Sequence, residues 1–429
     1  MKQLLMVAHG YPPAGGSSGV QRPLKFSRFL PEYGWLPQVL TPRADVHRFQ
    51  DPSLLAEIPA EVLIHRTPAW NSARDLGIRG WHLAALAIPD QFVSWVPFAV
   101  RRGLAVIRAG GIRAIYSTSP PATTQLVAWA LHRRTGLPWV ADFRDPWIEE
   151  GIHPRPGSLR YRIEAALERR VLRDATVVTV TTPHLRGDFL RRHHDLHPER
   201  VRVVWNGYDE ADFHDFRPEV SRERFELIHT GLVTAEFRDP RPVLRALAEL
   251  IAAGDIDRER TRAIFVGGGP WLRSSEFTAS VAEMELGGVV EIERFVPHRE
   301  ALARLGRAAA LLLMQASDDT RSLIPAKAFE YLRAGLPILA LTFEGATTDL
   351  VKGLPRCFVV HPADEPELRR VVKHLYDLWR EAPDALAVPR PVQQYERRHL
   401  TAALADALDE VAGTRSGREA RLGTEEATP

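Results

Sequence analysis

Runs of four to six apolar residues recur about every 20 to 35 residues, and stretches of helical period fill the gaps between them. A chain with this rhythm folds as alternating strands and helices, with each strand parallel to the last. In the first half the expected strands are "LLMVA", "PQVLT", "VLIHR", "AIYST", "WVADF", "ATVVTV" and "VRVVW". In the second half they are "FELIHTG", "RAIFVGG", "VVEIE", "ALLLM", "PILAL" and "CFVV". Several are apolar throughout, as strands covered by helices on both faces are. The fold class that follows is α/β, with two doubly wound parallel sheets.

The chain has 429 residues, more than one hydrophobic core organises, so two domains are expected. The boundary falls in "NGYDEADFHDFRPEVSRER", residues 206–224, a polar and turn-rich stretch between two strands. This gives a first domain over 1–212 and a second over 213–390. A helix over 391–413 is expected to end at Gly413 and to pack back toward the first domain. The tail 414–429 has almost no large apolar residue and reads as disordered.

Composition narrows the setting. Hydrophobic content of 45% and charged content of 26% are those of an ordinary globular protein. The single cysteine, Cys357, excludes an internal disulfide and a cysteine-clustered zinc site. "MKQLLMVAHGYPP" turns polar at His9 and lacks a small-residue cleavage pattern, so it reads as a first strand. No apolar run reaches the roughly 20 residues that span a bilayer. A cytoplasmic location is therefore expected. The net charge of +2 hides an asymmetry: residues 1–219 hold 28 Lys/Arg against 22 Asp/Glu, and the remainder 28 against 32. A basic first half suits an anionic membrane surface or an anionic acceptor, though ordinary variation between solvated faces gives the same count. No nucleic-acid partner is expected.

Ligands of open α/β sheets lie beyond the carboxyl ends of the strands, so the loops after strands carry the chemistry. Two such domains facing each other would hold a ligand in a cleft between them. "HGYPPAGGSSGVQR" follows the first strand. Its Gly15 and Gly16 admit close approach of backbone N–H groups to a ligand, and the helix beginning near Arg22 offers a positive dipole. It is neither a P-loop nor a clean GxGxxG. "VADFRDPW" sets Asp142, Arg144 and Asp145 at the end of another strand, where charges are costly unless paired or used. A structural Asp–Arg pair is the alternative reading there.

In the second half, "HTGLVTAEFRDPRPVLRAL" supplies Gly231 for backbone access, with Arg238 and Arg241 beside a helix start. "IPAKAFEYLRAGLPILA" reads as a short helix delivered into a strand, with Gly335 as its stop. Lys327 stands in its first turn, against the helix dipole, and a bound phosphate would turn that conflict into cooperation. Glu330, one turn on, can accept two hydrogen bonds from a vicinal diol. Phosphate followed by diol describes a nucleotide sugar. The competing reading is an i, i+3 Lys–Glu ion pair contributing tenths of a kcal/mol. His193 and His197 have a metal-like i, i+4 spacing but no acidic or cysteine companion, so no metal site is assigned. Trp95, Trp129, Trp139 and Trp205 are read as core.

Assembled, "YPPAGGSSGVQR", "VVWNGYDEADF", "GLVTAEFRDP" and "PAKAFEYLRAGLPILA" resemble, in order and spacing, glycosyltransferase family 4 and related GT-B enzymes over nearly the whole chain. "VADFRDPW" and "IPAKAFEYL" look like a bacterial subgroup associated with surface polysaccharide or glycoconjugate synthesis. The resemblance implies a GT-B architecture and transfer of a sugar from a nucleotide-diphosphate-sugar donor, with retention, without a metal and with no cofactor beyond the donor. By it, Glu330 matches the second glutamate of a paired-glutamate motif and holds the donor ribose. Arg238 falls where a lysine contacts the diphosphate, and Gly15 and Gly16 match the glycine loop over the donor.

The sequence departs from the pattern in three places. Ser322 stands where the first glutamate of the pair would fall, and Leu232 where an arginine follows the loop glycine. Arg144 and Asp145 stand where relatives often carry a histidine. Two roles stay open there: Arg144 binding the donor sugar or phosphate, or Asp145 accepting the acceptor's proton. The acceptor is expected to be a glycan, a lipid-linked sugar or a small molecule. The alternatives are a GT-B protein that binds nucleotide or glycan without transfer, and a GT-B sugar-nucleotide epimerase.

Overall fold

The computed structural model describes residues 1–15, 18–75, 87–148, 155–236 and 238–425. The chain forms two units, one of Met1–Asn206 together with the chain from Arg397 onward, the other of Gly207–Glu396.

The first unit is built on seven strands: β1 (Lys2–Ala8), β2 (Trp35–Pro42), β3 (Leu63–Thr67), β4 (Ile112–Ser119), β5 (Trp139–Phe143), β6 (Val177–Val180) and β7 (Val201–Val203). Its helices are α1 (Gln21–Phe29), α2 (Ser72–Asp75), α3 (Trp95–Arg108), α4 (Thr123–Thr135), α5 (Leu159–Asp174) and α6 (Pro183–Arg192). The second unit has six strands: β8 (Phe225–Thr230), β9 (Thr261–Val266), β10 (Val290–Glu293), β11 (Ala310–Gln315), β12 (Ile338–Thr342) and β13 (Cys357–Val360). Around them lie α7 (Arg241–Ala252), α8 (Ser275–Glu283), α9 (His298–Leu305), α10 (Lys327–Ala334), α11 (Ala346–Val351) and α12 (Glu365–Glu381), and α13 (Arg397–Glu425) closes the chain. Each strand lies on one of the apolar runs expected to form it.

The strand orders are β3-β2-β1-β4-β5-β6-β7 and β10-β9-β8-β11-β12-β13. Neighbours pair in parallel in both sheets, as the two-faced apolar strands require. Each order reverses direction once, between β1 and β4 in the first sheet and between β8 and β11 in the second. Doubly wound sheets open a crevice for ligands at such a reversal.

Apolar clusters fill both sides of the first sheet. On one side Leu5, Val7, Ile115 and Ala141 pack with Trp95, Val127 and Phe189; on the other Leu4, Met6, Tyr116 and Val140 pack with Leu400, Leu404, Leu408 and Val411 of α13. That helical spacing turns one apolar stripe of α13 onto the sheet. Lys2 and Asp409 reinforce the seam at 2.6 Å, and Trp35 Nε1 donates to the same carboxylate at 2.8 Å. The helix runs on through Gly413 instead of stopping there. Gly413 keeps a right-handed backbone, and the Arg, Glu, Ala and Leu residues that follow are strong helix formers. Residues 426–429 of the expected tail lie outside the described residues.

Trp95 and Trp139 are fully buried, and their ring N–H groups donate to Thr67 Oγ1 and Ser117 Oγ, each at 2.7 Å. Trp129 and Trp205 are only partly buried. Among the described residues no helix is long and apolar enough to cross a membrane.

Candidate functional site

In the second unit, β8 ends in His229 and Thr230, and Gly231 follows at a left-handed φ of +91°. Gly231 N–H donates to the Val266 carbonyl at 2.8 Å and Val233 N–H to the Gly268 carbonyl at 2.8 Å. The loop is thereby fastened to the "GGG" turn after β9, whose Gly267, Gly268 and Gly269 all have positive φ. A Cβ on Gly231 would lie 3.2 Å from Lys327 Nζ. Glycine is required by its backbone and by that lysine together.

Lys327 is the first residue of α10, and its ammonium end reaches back over β8. Nζ lies 2.9 Å from His229 Nε2 and donates to the Thr230 carbonyl. The far ring nitrogen of His229, Nδ1, is 2.7 Å from the Leu312 carbonyl and therefore carries the hydrogen, which leaves Nε2 as the acceptor. Among the described residues no carboxylate comes within ion-pair distance of Lys327 Nζ, so the i, i+3 pair with Glu330 does not form. Burial, and then the charge of Arg238, hold the Lys327 amine well below its usual range. Burial, and then Lys327, do the same to His229.

Arg238 is partly buried. Its Nε is 3.4 Å from Gln315 Oε1 at the end of β11, and it donates to the Leu232 carbonyl at 3.3 Å, so it bridges the reversal point of the sheet. Arg241 is engaged elsewhere, with Asp239 at 2.8 Å and Glu276 at 3.0 Å. Tyr331, whose hydroxyl burial pushes up to about 12, accepts from Thr230 N–H at 2.9 Å and pins α10 to the strand.

Glu330 faces away from Lys327. Its Oε1 is 2.9 Å from His298 Nε2, at the start of α9, and His298 Nδ1 is 3.9 Å from Asp212. Arg333, one turn later, donates twice to Glu210, with Nε at 2.8 Å. His298 and Asp212 were not legible as site residues; the only signal is that "VPHREAL" starts a helix with histidine. His229 opens the third loop, but nothing around it in the sequence assigns its side chain a part.

In the first unit the carboxyl ends of β1, β4 and β5 converge. The charges of "VADFRDPW" divide between two tasks. Asp142 is fully buried and takes a bidentate grip from Arg22, with further hydrogen bonds from Thr118 and Thr179 at 2.7 Å and Tyr116 at 3.0 Å. Burial works to raise this carboxyl, but the charge and hydrogen bonds of Arg22 hold it below its usual range. The structural pair anticipated at this strand end thus exists, with Arg22 as the partner in place of Arg144. Arg144 donates instead to the carbonyls of Ser119, at 3.0 Å, and Pro120. Its guanidinium fastens the loop after β4.

Asp145 is partly buried, and among the described residues it has no hydrogen-bond partner; burial pushes its carboxyl up, against the pull of Arg144. It lines a cavity of about 510 Å³ with Ser119, Pro120, Phe92, Trp147 and Arg160. Behind Phe92, at a ring distance of 4.1 Å, stands His9, 5% exposed, its Nε2 without a partner among the described residues and the ring held neutral first by burial and then by His47.

Gly15 is placed by packing. A Cβ there would meet Asp51 N at 2.8 Å, and Gly15 N–H donates to the Phe49 carbonyl at 3.0 Å, so its missing side chain admits the 49–51 segment. Gly16 lies outside the described residues. The spaced histidines do not converge: His193 is buried against Glu168 at 3.0 Å, whereas His197 is exposed. Among the described residues no three His, Cys, Asp or Glu side chains gather as a metal site. Gly231, Arg238 and Lys327 meet at one strand end with Glu330 a turn away; Arg144 and Asp145 adjoin in the first unit.

Residues 24–207 match the model of the glycosyl transferase 4-like domain. No curated protein matches the chain. Among solved structures, a glycosyltransferase from Rickettsia africae is 14% identical, with 96% of this chain and 98% of that one covered and a TM-score of 0.64. HepE from Anabaena, solved in complex with UDP, is 13% identical over 98% and 100% of the two chains, at a TM-score of 0.58. A UDP-GlcNAc 2-epimerase from Methanocaldococcus jannaschii is 12% identical over 96% and 100%, at a TM-score of 0.55. At these identities the solved structures speak for the fold. The first unit therefore resembles a glycosyl transferase 4-like domain over residues 24–207, and the two-sheet architecture is the GT-B fold.

Proposed function

We propose that the protein transfers a sugar from a nucleoside-diphosphate sugar to an acceptor, with retention of configuration and without a metal, in the synthesis of a bacterial polysaccharide or glycoconjugate. The observation that carries this reading is Lys327, a lysine set at the reversal point of the second sheet among uncharged partners, with Arg238 beside it. A cation so placed lacks a counter-charge, and a diphosphate supplies one. In transfer the same two side chains stabilise the charge that develops on the departing diphosphate, the largest single contribution expected at such a site. Glu330 accepts the ribose diol. The leaving phosphate takes the acceptor's proton, so no pair of carboxylates like that of a glycosidase is needed.

The acceptor side belongs to the first unit. Asp145, at the wall of the cavity after β5, is the group offered to an acceptor hydroxyl, while Arg144 keeps the β4 loop in place. The protein is assigned to the cytoplasm, at the inner face of the membrane. What supports contact with anionic lipid is the outer face of α5, where Leu159 and Ile163 stand exposed among Arg162, Arg169 and Arg170. The acids of that helix turn inward, Glu164 to Arg160 and Glu168 to Arg192.

The test is incubation with mass-resolved nucleotide sugars and glycan or lipid-linked acceptors. Release of nucleoside diphosphate with a glycosylated product, lost in folded Glu330→Ala and Lys327→Ala variants, supports transfer. Nucleotide binding without turnover on any acceptor would mark a binding protein. The epimerase of shared fold favours one further reading, which predicts interconversion of the free nucleotide sugar with no acceptor present.

A further inference from the structure

The contacts of Lys327 bear on more than where a diphosphate sits. Among the described residues Nζ has two partners, the ring nitrogen of His229 and the carbonyl of Thr230. Neither can take a positive charge off the site. His229 cannot become the counter-ion, because its Nδ1 hydrogen is held by the Leu312 carbonyl. The charged groups facing Nζ from elements around it are Arg238, of like sign, on the loop after β8, and Glu330 on its own helix, whose carboxylate lies against His298. Gln315, which bonds Arg238, and Tyr331, which bonds Thr230, are uncharged. Geometry of this kind favours a neutral amine, which still has one N–H for each of the two acceptors and brings no uncompensated charge.

We infer that the second unit takes up a proton together with its nucleoside diphosphate, the proton arriving on Lys327 Nζ as the phosphate oxygens supply the missing counter-charge. The inference rests on the diphosphate reading given under Proposed function. The proton comes from solvent. Nζ keeps its bonds to His229 Nε2 and Thr230 and gains a third N–H for the anion. His229 is then a positioning residue: with its hydrogen fixed on Nδ1 it presents a lone pair to the lysine in both states. The low amine range that burial and Arg238 impose agrees with this. In consequence affinity for the diphosphate falls as pH rises, even though the diphosphate itself stays fully ionised.

The experiment is calorimetric titration of the full chain with UDP, GDP, ADP and inorganic pyrophosphate, at pH 8, in buffers of differing ionisation enthalpy. The slope of observed heat against buffer enthalpy counts protons taken up. The expected slope approaches one proton for the wild type. In Lys327→Arg, whose side chain is protonated at every accessible pH, it falls to near zero while binding persists. Lys327→Met loses most of the affinity, with its fold checked by thermal melting. Binding of UDP, GDP or ADP, each fully ionised at pH 8, with no proton exchanged in the wild type would overturn the inference. So would a wild-type slope in Lys327→Arg, which would put the proton elsewhere. If none of the four ligands binds the folded wild type, the diphosphate reading itself fails, a distinct outcome.

Discussion

Arg22 and Asp142, 120 residues apart in the chain, meet inside the first unit as a two-point ion pair at 2.9 and 2.7 Å, both side chains essentially out of water. The pair joins the first turn of α1 to the end of β5, and Arg22 also donates to the carbonyls of Val204 and Trp205, so it reaches the end of β7 too. Removing one member leaves a buried charge uncompensated, at a cost of about 3–5 kcal/mol. Arg22→Met and Asp142→Asn should therefore each lower the urea midpoint of the full chain steeply. Deleting both partners should not restore it, because Thr118, Thr179 and Tyr116 would then lose their common acceptor. A double variant of wild-type stability would sink this account.

Gly231→Ala adds one carbon at φ +91° and 3.2 Å from Lys327 Nζ. The backbone strain costs about 1–2 kcal/mol. Binding should suffer more than folding, since the lysine must move: UDP affinity is expected to drop at least tenfold, about 1.4 kcal/mol. Isothermal titration beside a melting curve separates the two effects.

In the proposed function Glu330 and Lys327 serve different parts of one ligand, the ribose and the diphosphate. Glu330→Ala should weaken UDP and leave inorganic pyrophosphate unchanged, whereas Lys327→Met should weaken both. Equal losses for both ligands in Glu330→Ala would remove the ribose assignment. His298→Ala, which frees Glu330 from its 2.9 Å partner, should change UDP affinity without changing that for pyrophosphate.

Acid should destabilise the fold through two buried histidines. His9 and His229 are held well below the usual 6.5, so in the native state they stay neutral where the unfolded chain's histidines charge. Below pH 6.5 the unfolded state binds more protons, and stability falls with pH by up to about 1.4 kcal/mol per unit for each group. The loss stops once pH passes below the native-state values. Denaturation of His229→Gln at pH 7.5 and pH 5.5 should show a smaller difference than the wild type; an unchanged difference would mean His229 titrates normally.

Vesicle binding tests the outer face of α5. Each arginine near an anionic surface contributes about 1 kcal/mol, so Arg162→Ala with Arg169→Ala should weaken binding to phosphatidylglycerol vesicles by about ten- to thirtyfold. Binding should also weaken steeply with salt. Sedimentation with neutral phosphatidylcholine vesicles is the control, and equal binding to both would exclude the electrostatic reading.

The strands were legible because each is a short apolar run that must be buried, and period and length distinguish such runs from helices. Lys327 was legible as a cation in the wrong place on a helix, and Gly231 as a point of backbone access after a strand. What escaped depends on contacts distant in sequence. Nothing near Asp142 says that its partner is Arg22 rather than Arg144, two positions away. Nothing near Glu330 says that His298 will reach it from another helix. Gly15 looked like an approach for a ligand because a small residue in a loop has the same appearance whether the neighbour it admits is a phosphate or Asp51. The end of α13 was misjudged on Gly413, since a glycine stops a helix only when its backbone turns left-handed.

The return of α13 to the first unit also sets an order of completion during synthesis. The seven-stranded sheet emerges first, yet the face bearing Leu4, Met6, Tyr116 and Val140 has only part of its cover, from Phe26 and Leu30, until Leu400 to Val411 leave the ribosome. Between them roughly 190 residues must be translated, about 10 to 40 s at ordinary rates of synthesis. The second unit has all of its own residues by then. The half of the protein that is made first is thus finished last, and for that interval the uncovered part of its sheet face is the natural target of a holding chaperone. A chain cut before Arg397 would keep that target permanently.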